Sequence, residues 1–178
     1  MSETKTVRHS AESSPPVRQQ QAHDYAAVLT APWSGVMLGV SVHDEFVTSI
    51  DFLADNAVAH SASEGVAGEA VRQLQAYFRD PQHQFSLPLQ PIGTPFQLRV
   101  WNVLRRIPAG LTRSYGEVAQ HLGSGARAVG GACRANPIPV IIPCHRVVAA
   151  HGMGGFMGVT AGRGLQLKQR LLAHERLS

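Results

Sequence analysis

The residues best suited to chemistry in this sequence are an adjacent cysteine and histidine, Cys144 and His145, which follow Pro143. The apolar run at residues 140–142 indicates that the pair lies in a buried stretch of chain. Cysteine attacks as a thiolate, and a neighbouring base or positive charge lowers its pKa enough for that. Cys144 is therefore a candidate nucleophile, although a cysteine that only packs in the core fits the same two residues.

Other site chemistries have weaker support. Cys133 and Cys144 lack the paired spacing of zinc ligands, and scattered histidines are typical of protein surfaces. The glycine-rich residues 152–158 lack the Lys-Ser/Thr ending of a phosphate-binding loop. We predict no metal and no cofactor, and we interpret Cys133 as a small core residue.

The composition limits the class of protein. A chain of 178 residues that is 44% hydrophobic can bury one good core or two small ones. The sequence has no apolar run long enough to cross a membrane, no charged-then-apolar leader at Met1, and too few cysteines for disulfide stapling. We expect a cytoplasmic protein that does not bind membranes. The net charge of +4 agrees with a polyanionic partner but does not establish one.

The first half of the chain predicts a sheet and a helix. Residues 1–23 are polar and without apolar periodicity, and we predict a disordered tail. Three β-like runs follow between residues 25 and 53, and the last alternates apolar with polar side chains. Ser63 is a candidate N-cap for a helix whose apolar residues recur at helical spacing over 66–78. We expect this helix to cover the sheet.

The second half predicts helices. Thr94 with Gln97, and Ser114 with Glu117, form two capping boxes that each begin a helix. A glycine turn separates the second of these helices from a third, predicted over residues 126 to about 136. A short helix, a tight turn and a second helix form the layout of a helix-turn-helix.

These elements predict an α+β fold with two domains. Residues 24–90 would form a small N-terminal domain, with a three-stranded antiparallel sheet and a covering helix. Residues 91–178 would form a mostly helical C-terminal domain that contains the helix-turn-helix.

The third predicted helix has unusually little side-chain bulk, because Ala126, Gly130 and Gly131 lie along it. Glycine within a helix costs about 1 kcal/mol relative to alanine. The close approach of another helix or of a bound molecule would explain why glycines are present here. One explanation is tight packing against a neighbouring helix. The other is insertion into a DNA minor groove, with Arg127 reaching the base stack.

Several separate motifs together resemble one family, the methylated-DNA–protein-cysteine methyltransferases, also called O6-alkylguanine-DNA alkyltransferases. The resemblance runs from about Gly93 to Glu175. Its motifs, in chain order, are Thr94 to Gln97, Val100-Trp101, Ser114-Tyr115-Gly116, Arg127-Ala128-Val129-Gly130, Asn136-Pro137 and Ile142 to Val147. The first half is similar to the family's smaller domain only in layout and in two short stretches.

The resemblance implies a repair protein that flips an alkylated guanine out of duplex DNA and moves the alkyl group onto its own cysteine, once per molecule. It implies that Cys144 accepts the alkyl group and that His145, oriented by Glu175, removes the thiol proton through a water. Tyr115 would donate a proton to the departing guanine. Asn136 would brace the active-site loop through hydrogen bonds.

The resemblance also implies the residues that hold substrate. The carbonyl of Val147 and the amide of Cys144 would read the exocyclic amine of guanine, and Pro139 and Phe156 would wall the pocket. Arg127 would fill the gap left by the flipped base. The DNA contacts would come from the helix-turn-helix, through Tyr115, Ala126, Arg127, Gly130 and Gly131. The partner would be double-stranded DNA bearing O6-alkylguanine, bound by a monomer, with several copies able to line up along DNA.

Two other functions remain open from the residues. An alkyltransferase-like protein that binds lesions without repairing them would share the fold, but such proteins replace the acceptor cysteine that Cys144 provides. A cysteine hydrolase would need water to regenerate its thiol. A methyl thioether has no such route, so repeated turnover distinguishes a hydrolase from a protein that reacts once.

Overall fold

The computed structural model describes residues 25–33, 35–54, 56–62 and 64–176. The tail predicted at residues 1–23 and the predicted cap Ser63 lie outside the described residues. The strands and helices, in chain order, are β1 (Ala27–Thr30), β2 (Met37–His43), β3 (Phe46–Leu53), α1 (Gly65–Arg79), α2 (Pro95–Leu104), β4 (Arg113–Ser114), α3 (Tyr115–His121), α4 (Ala126–Arg134), β5 (Val147–Val148) and α5 (Gly162–Arg176).

The first three strands form the predicted antiparallel sheet, in the order β1-β2-β3. Val40 is paired with Ala27 on one side and with Ile50 on the other, and all three side chains are buried. The β2-β3 turn contains Asp44 at a φ of 51°, a left-handed conformation that aspartate tolerates better than most residues. The three predicted strands are therefore present. The alternation in the sequence did not predict the buried face at the start of β3, where the register with β2 shifts, because Phe46 is 38% exposed and Val47 is buried.

Helix α1 covers the sheet as expected, because Ala70, Leu74 and Tyr77 are fully buried on one of its faces. Glu64 occupies the N-cap position and its side chain makes no capping hydrogen bond. The free energy that holds α1 in place therefore comes from burial of its apolar face rather than from its cap.

Helix α2 lies at the centre of the second half. Its capping box is present, since the Thr94 hydroxyl accepts from the Gln97 amide and the Gln97 side chain accepts from the Thr94 amide. Trp101 is 1% exposed, and its indole N–H donates to the Ala132 carbonyl at 2.9 Å. This bond fixes α4, which carries Ala132, against α2.

Helices α3 and α4 form the predicted helix-turn-helix, and the Ser114–Glu117 capping box begins α3. Helix α4 ends at Arg134, two residues before the predicted end. The reason is local, because the Asn136 side-chain oxygen accepts from the Ile138 amide at 3.1 Å and turns the chain away from the helix axis.

Two features of the assembly were not expected from the sequence. Strands β4 and β5 pair in parallel, with Arg113 opposite Val147 and Ser114 opposite Val148. In addition, one cluster of buried side chains takes in the sheet, α1 and the helices of the second half, from Ala27 to Leu171. Both features join segments that are distant in sequence.

No helix among the described residues is both long and apolar enough to span a bilayer.

Candidate active site

The candidate nucleophile lies in a single 3-10 turn, Cys144–Arg146, that leads directly into β5. Cys144 is 3% exposed. Its backbone N–H donates to the Ile142 carbonyl at 2.8 Å. The amide of Cys144 is thus engaged within the chain, and an N–H cannot accept a hydrogen bond from an amine, so the expected role of this amide in reading guanine is wrong.

Asn136 braces the loop that leads to the thiol. Its side-chain oxygen accepts from the Ile138 amide, and its Nδ2 donates to the Ile142 carbonyl at 2.8 Å. Between these two anchors lies Val140, with a φ of 75°, which is an unfavourable conformation for a β-branched residue. The same Nδ2 lies 3.2 Å from Sγ of Cys144. One amide therefore holds both the strained bend and the sulfur.

The adjacent histidine has a defined partner. Nε2 of His145 lies 2.8 Å from Oε1 of Glu175, and both side chains are fully buried. A carboxylate only accepts, so Nε2 carries the hydrogen, and in the neutral ring Nδ1 is the basic nitrogen. Burial lowers the pKa of His145, against the opposing effect of Glu175, and keeps the ring neutral. Nδ1 is buried and has no partner among the described residues.

Glu175 is held by more groups than the sequence indicated. The Arg146 guanidinium donates to both of its oxygens, from Nε at 3.0 Å and from NH2 at 2.8 Å. The Tyr77 hydroxyl donates to Oε1 at 2.8 Å, and the Gly110 amide donates to Oε2 at 3.3 Å. Burial alone would raise the pKa of Glu175, but the hydrogen bonds from His145 and Arg146 hold it well below its usual value.

The sulfur itself is in a mixed environment. Burial raises the pKa of the Cys144 thiol, while the Asn136 hydrogen bond and the Lys168 charge oppose that rise. A buried thiol of raised pKa is protonated at neutral pH and needs a base before it can attack. The neutral imidazole next to it in sequence is suited to that step.

Tyr115 lines the same cleft as Cys144. It directly follows β4, whose parallel pairing with β5 joins the start of α3 to the segment that leaves the acceptor turn. The half-buried phenol donates to the Gly155 carbonyl at 3.3 Å. Burial, with smaller effects from the two thiols, raises its pKa to about 12, so it keeps its proton at neutral pH.

An open cleft of about 320 Å³ leads to the sulfur. Its walls come from α4, from Tyr115 and from residues 155–160, which we call the lid. The lining residues are Tyr115, Gly130, Gly131, Cys133, Arg134, Cys144, Gly155, Phe156, Met157, Gly158, Val159 and Thr160. Phe156 is among them as expected. Of the described residues, Pro139 and Val147 were also expected there, but both are buried beside the acceptor turn and do not line this cleft.

The lid is a tight two-residue turn. Phe156 and Val159 exchange backbone hydrogen bonds of 2.8 and 3.0 Å across Met157 and Gly158, which both have positive φ. A Cβ on Gly158 would lie 2.7 Å from Nε of Arg134, and the φ of 82° at this position favours a glycine. Arg134, the last residue of α4, thus lies against the lid.

The glycines of α4 are not explained by packing inside the protein. A Cβ on Gly130 or on Gly131 would meet no described atom within 4 Å, and both positions line the cleft. Arg127 and Ala126 are exposed at the start of the same helix. Of the two explanations for a helix with so little bulk, tight packing against a neighbouring helix does not apply at these two positions.

Cys133 and Lys168 take positions that the sequence did not indicate. Cys133 is 7% exposed, in keeping with a small core residue, yet it lines the same cleft as Cys144. Lys168 is fully buried behind the acceptor turn. Lysine is seldom buried completely, and its only signal in the sequence was its helical spacing from Leu171 and Leu172, buried residues of α5. Within the described parts of the chain, no three His, Cys, Asp or Glu side chains are grouped closely enough to hold a metal ion.

Comparison with known proteins agrees with this geometry. A sequence profile described as "6-O-methylguanine DNA methyltransferase, DNA binding domain" matches residues 95–177. The methylated-DNA–protein-cysteine methyltransferase of Methanosarcina acetivorans is 47% identical over 110 residues, which are 60% of this chain and 67% of that protein. The crystal structure of Mycobacterium tuberculosis O6-methylguanine methyltransferase superposes with a TM-score of 0.67 at 37% identity, over 82% of this chain and 89% of that one.

The chain belongs to the methylated-DNA–protein-cysteine methyltransferase family. A second structure of the family, Mycobacterium tuberculosis OGT in complex with DNA, has a TM-score of 0.64 at 40% identity and covers 79% of this chain and 87% of that one. The matched profile runs from α2 to α5, so the helix-turn-helix, Tyr115, Cys144 and Glu175 all lie inside it. The α+β architecture predicted from the sequence is confirmed.

Proposed function

We propose that this protein repairs DNA by transferring the alkyl group of O6-alkylguanine in duplex DNA to Sγ of Cys144, once per molecule. The observation that carries the proposal is the position of Cys144. Its sulfur lies at the end of an open cleft, 3.2 Å from Nδ2 of Asn136 and adjacent in sequence to the buried His145–Glu175 pair. The relatives that carry this name support the reaction class.

The proposed transfer begins with the thiol proton. His145 presents Nδ1 as its basic nitrogen, because Nε2 is bound to Glu175, and a bridging water carries the proton from Sγ. Glu175 is fixed by Arg146 and Tyr77, so it stays ionised and stabilises the imidazolium that forms. This is the arrangement of a nucleophile, a base and an orienting carboxylate, with sulfur as the nucleophile.

The bond-making step moves one alkyl group. A C–S bond forms as the C–O6 bond breaks, and the electron pair of that bond goes to guanine. Tyr115 is a suitable donor to the departing guanine because its phenol is still protonated at neutral pH and is next to the cleft. The imidazolium of His145 supplies a proton to replace it. The products are unmodified guanine and S-alkylcysteine, so the transfer needs no cofactor.

We propose that the guanine is rotated out of the duplex to reach the sulfur, since a stacked base would hide its O6 substituent from a cleft of this depth. Helix α4 would lie in the minor groove, where Gly130 and Gly131 leave open space for the sugar-phosphate backbone. Arg127 is exposed at the N-terminal end of the same helix and would fill the gap in the stack. Ala126 and Tyr115 would contact the DNA beside it.

We further propose that the protein acts as a monomer in the cytoplasm, where a reducing environment keeps Cys144 as a thiol. The two cysteines of the described residues are both unpaired, as this chemistry requires. Several molecules would be able to bind along one duplex. The two domains are proposed at residues 24–90 and 91–178.

The experiment that tests the function uses duplex DNA with O6-methylguanine in molar excess over the protein, followed by intact and peptide mass measurement. We expect one added methyl group per chain, on the peptide that contains Cys144. Tight binding to the lesion without any adduct would instead make this a lesion-binding protein. Product beyond one equivalent would mean true turnover and would overturn the proposed mechanism.

Arg127→Ala is expected to slow transfer from duplex DNA while leaving the reaction with free O6-methylguanine within about twofold. Extrusion of a base costs a few kcal/mol. If Arg127 supplies about 1.4–2.7 kcal/mol of this, the duplex rate falls roughly tenfold to a hundredfold. The measurement is the second-order rate constant for loss of active protein with each substrate.

The matched control for this prediction is Arg79→Ala, which removes an exposed cation at the end of α1, outside the helix-turn-helix. This variant shows how the loss of one positive charge outside the helix-turn-helix changes the rate with duplex DNA. Equal losses with the duplex and with the free base in the Arg127 variant would contradict its assignment to the base stack.

A further inference from the structure

Strand β3 is an edge strand of the N-terminal sheet, and this edge lies against the segments that form the candidate site. The Ile50 amide donates to the Pro137 carbonyl at 2.9 Å, in the loop that leads to the acceptor turn. The Leu53 carbonyl accepts from the Arg163 guanidinium at 3.1 Å, and the same guanidinium donates to the Gly35 carbonyl. Arg163 lies in the first turn of α5, shortly after the lid. The edge of the sheet is thus bonded to the chain on both sides of the lid.

Between these two backbone contacts, the side chain of Phe52 reaches the lid itself. Its ring meets the ring of Phe156 edge to face, with the ring centres 6.1 Å apart and an angle of 64° between the planes. Phe156 lines the cleft, whereas the half-buried Phe52 does not. Phe52 therefore contacts a wall of the cleft from outside the cleft, and the proposed transfer gives it no role.

Phe156 anchors the lid. Within the lid, all of which the structure describes, it alone is buried, at 3% exposed. The residues around it offer little packing, since Gly154 has a φ of 69° and Met157 is 40% exposed. Glycines contribute no side chain to packing and permit many backbone conformations. The position of the lid thus depends on what the Phe156 ring packs against.

We propose that Phe52 is a positioning residue that sets the width of the cleft: it blocks the retreat of the Phe156 ring and so limits the size of the alkyl group that Cys144 can accept. The inference rests on the proposed function and adds a determinant of substrate size to it. The Phe156 ring cannot move back while the Phe52 ring fills the space behind it, because packed interiors contain few voids. A smaller side chain at residue 52 leaves a space into which the Phe156 ring and the lid can shift.

The test compares two adducts of different width, O6-benzylguanine and O6-methylguanine, as free bases, with the wild type and with Phe52→Ala. The measured quantity is the second-order rate constant for addition of each group to the Cys144 peptide, followed by mass. We expect the benzyl-to-methyl ratio of rate constants to rise roughly tenfold in the variant, because space for one methylene group in an apolar pocket changes discrimination by roughly 10- to 200-fold. A merely structural role would lower both rates and leave their ratio unchanged, which would overturn the proposal.

Phe46→Ala is the matched control, because it makes the same substitution at the other end of the same strand, where the ring is 38% exposed. Its ratio should equal that of the wild type. Phe52→Leu covers the case in which Phe52→Ala does not fold, since leucine keeps an apolar side chain but lacks the ring. Its ratio should rise in the same direction by a smaller factor. A Phe52→Leu protein that is folded by thermal unfolding and keeps the wild-type ratio would contradict the proposal.

A double substitution tests whether Phe52 acts through Phe156. In Phe156→Ala the ring that Phe52 holds is absent, so the addition of Phe52→Ala should change the benzyl-to-methyl ratio by less than about twofold. Equal effects of Phe52→Ala in the wild type and in Phe156→Ala would mean that Phe52 acts through another contact, and the proposal would be wrong.

Failure of the proposed function would be seen separately. Iodoacetamide and N-benzyliodoacetamide alkylate a thiol without any guanine, so the ratio of their rates at Cys144 reports the width of the cleft alone. This ratio should rise in Phe52→Ala and stay at the wild-type value in Phe46→Ala. Absence of methyl transfer from duplex DNA to the wild type would overturn the proposed function, whereas an unchanged reagent ratio in Phe52→Ala would overturn the role of Phe52.

Discussion

Cys144→Ala is expected to abolish alkyl transfer from both duplex DNA and the free base, with no methylated peptide detectable at any excess of substrate. The alanine has no lone pair to form the C–S bond, and none of the groups around it can take over. The side chain is 3% exposed at the end of the cleft, so DNA binding should stay within about threefold of wild type, because the phosphate contacts that dominate affinity lie elsewhere. Mass measurement and a DNA-binding titration check the two halves of the prediction.

The informative control is Cys133→Ala, since Cys133 lines the same cleft and also has a buried thiol. Burial, reinforced by the nearby Cys144, raises the pKa of Cys133 to about 12, and its thiol has no adjacent base. We expect the Cys133 variant to accept one methyl group, mapped to Cys144. Methylation on Cys133 in the Cys144→Ala protein would contradict the assignment of the acceptor.

Glu175→Gln is expected to destabilise the fold by about 3–5 kcal/mol, because it leaves Arg146 as a buried cation without its carboxylate. The glutamine has nearly the same shape, so the loss reports charge and hydrogen bonding rather than volume. Glu175 is 2% exposed and receives hydrogen bonds from Arg146, His145 and Tyr77. Urea unfolding at pH 7 gives the free-energy difference from the midpoints.

The same network sets the direction of the acid response. The folded pKa of Glu175 lies below its usual value of 4.5, so its contribution to stability is fully present above about pH 4.5 and is lost as the pH falls toward the folded pKa. The wild type should therefore lose stability in acid faster than Glu175→Gln, and the difference between them should narrow below pH 4.5. A difference that stays constant from pH 7 to pH 3 would contradict this account.

Glu117→Gln is the matched control for both measurements. It makes the same substitution in the exposed capping box of α3, where Glu117 pairs with Arg113 at the surface. Solvent screens that pair, so the effect on stability should be far smaller than at Glu175. A comparable loss of stability in Glu117→Gln and Glu175→Gln would mean that the buried network contributes no more than a surface ion pair.

Much of the fold could be predicted from short stretches of sequence. The capping boxes at Thr94 and Ser114 depend on residues three positions apart, and the alternation in β3 depends on residues two apart. Each of these signals lies within one element, so it can be recognised without knowledge of the rest of the chain. Helix α4 ends within two residues of the predicted end, and the Asn136 side chain bonds to the Ile138 amide just beyond it.

The candidate site could be predicted only in part. The Cys144–His145 pair is visible because the two residues are adjacent, and Arg127 was indicated by the low side-chain bulk around it. Glu175, Tyr115 and Asn136 were assigned only through the resemblance to the family. Pro139 was assigned in the same way, and the structure places it outside the cleft. Val147 lies behind the acceptor turn, where Lys168 holds its carbonyl.

By itself the sequence determined the three strands of the N-terminal sheet, the starts of α2 and α3, the adjacent thiol and imidazole, and the family to which these motifs belong. Only the tertiary structure decided which polar groups share the interior. Tyr77 and Glu175 are 98 residues apart and Lys168 and Val147 are 21 apart, yet each pair is hydrogen-bonded in the core. The packing of distant elements likewise brings Tyr115 and Cys144 to the same cleft. A buried charge or hydroxyl is tolerated only where a partner meets it, and no local pattern encodes a partner brought there by the packing of distant elements.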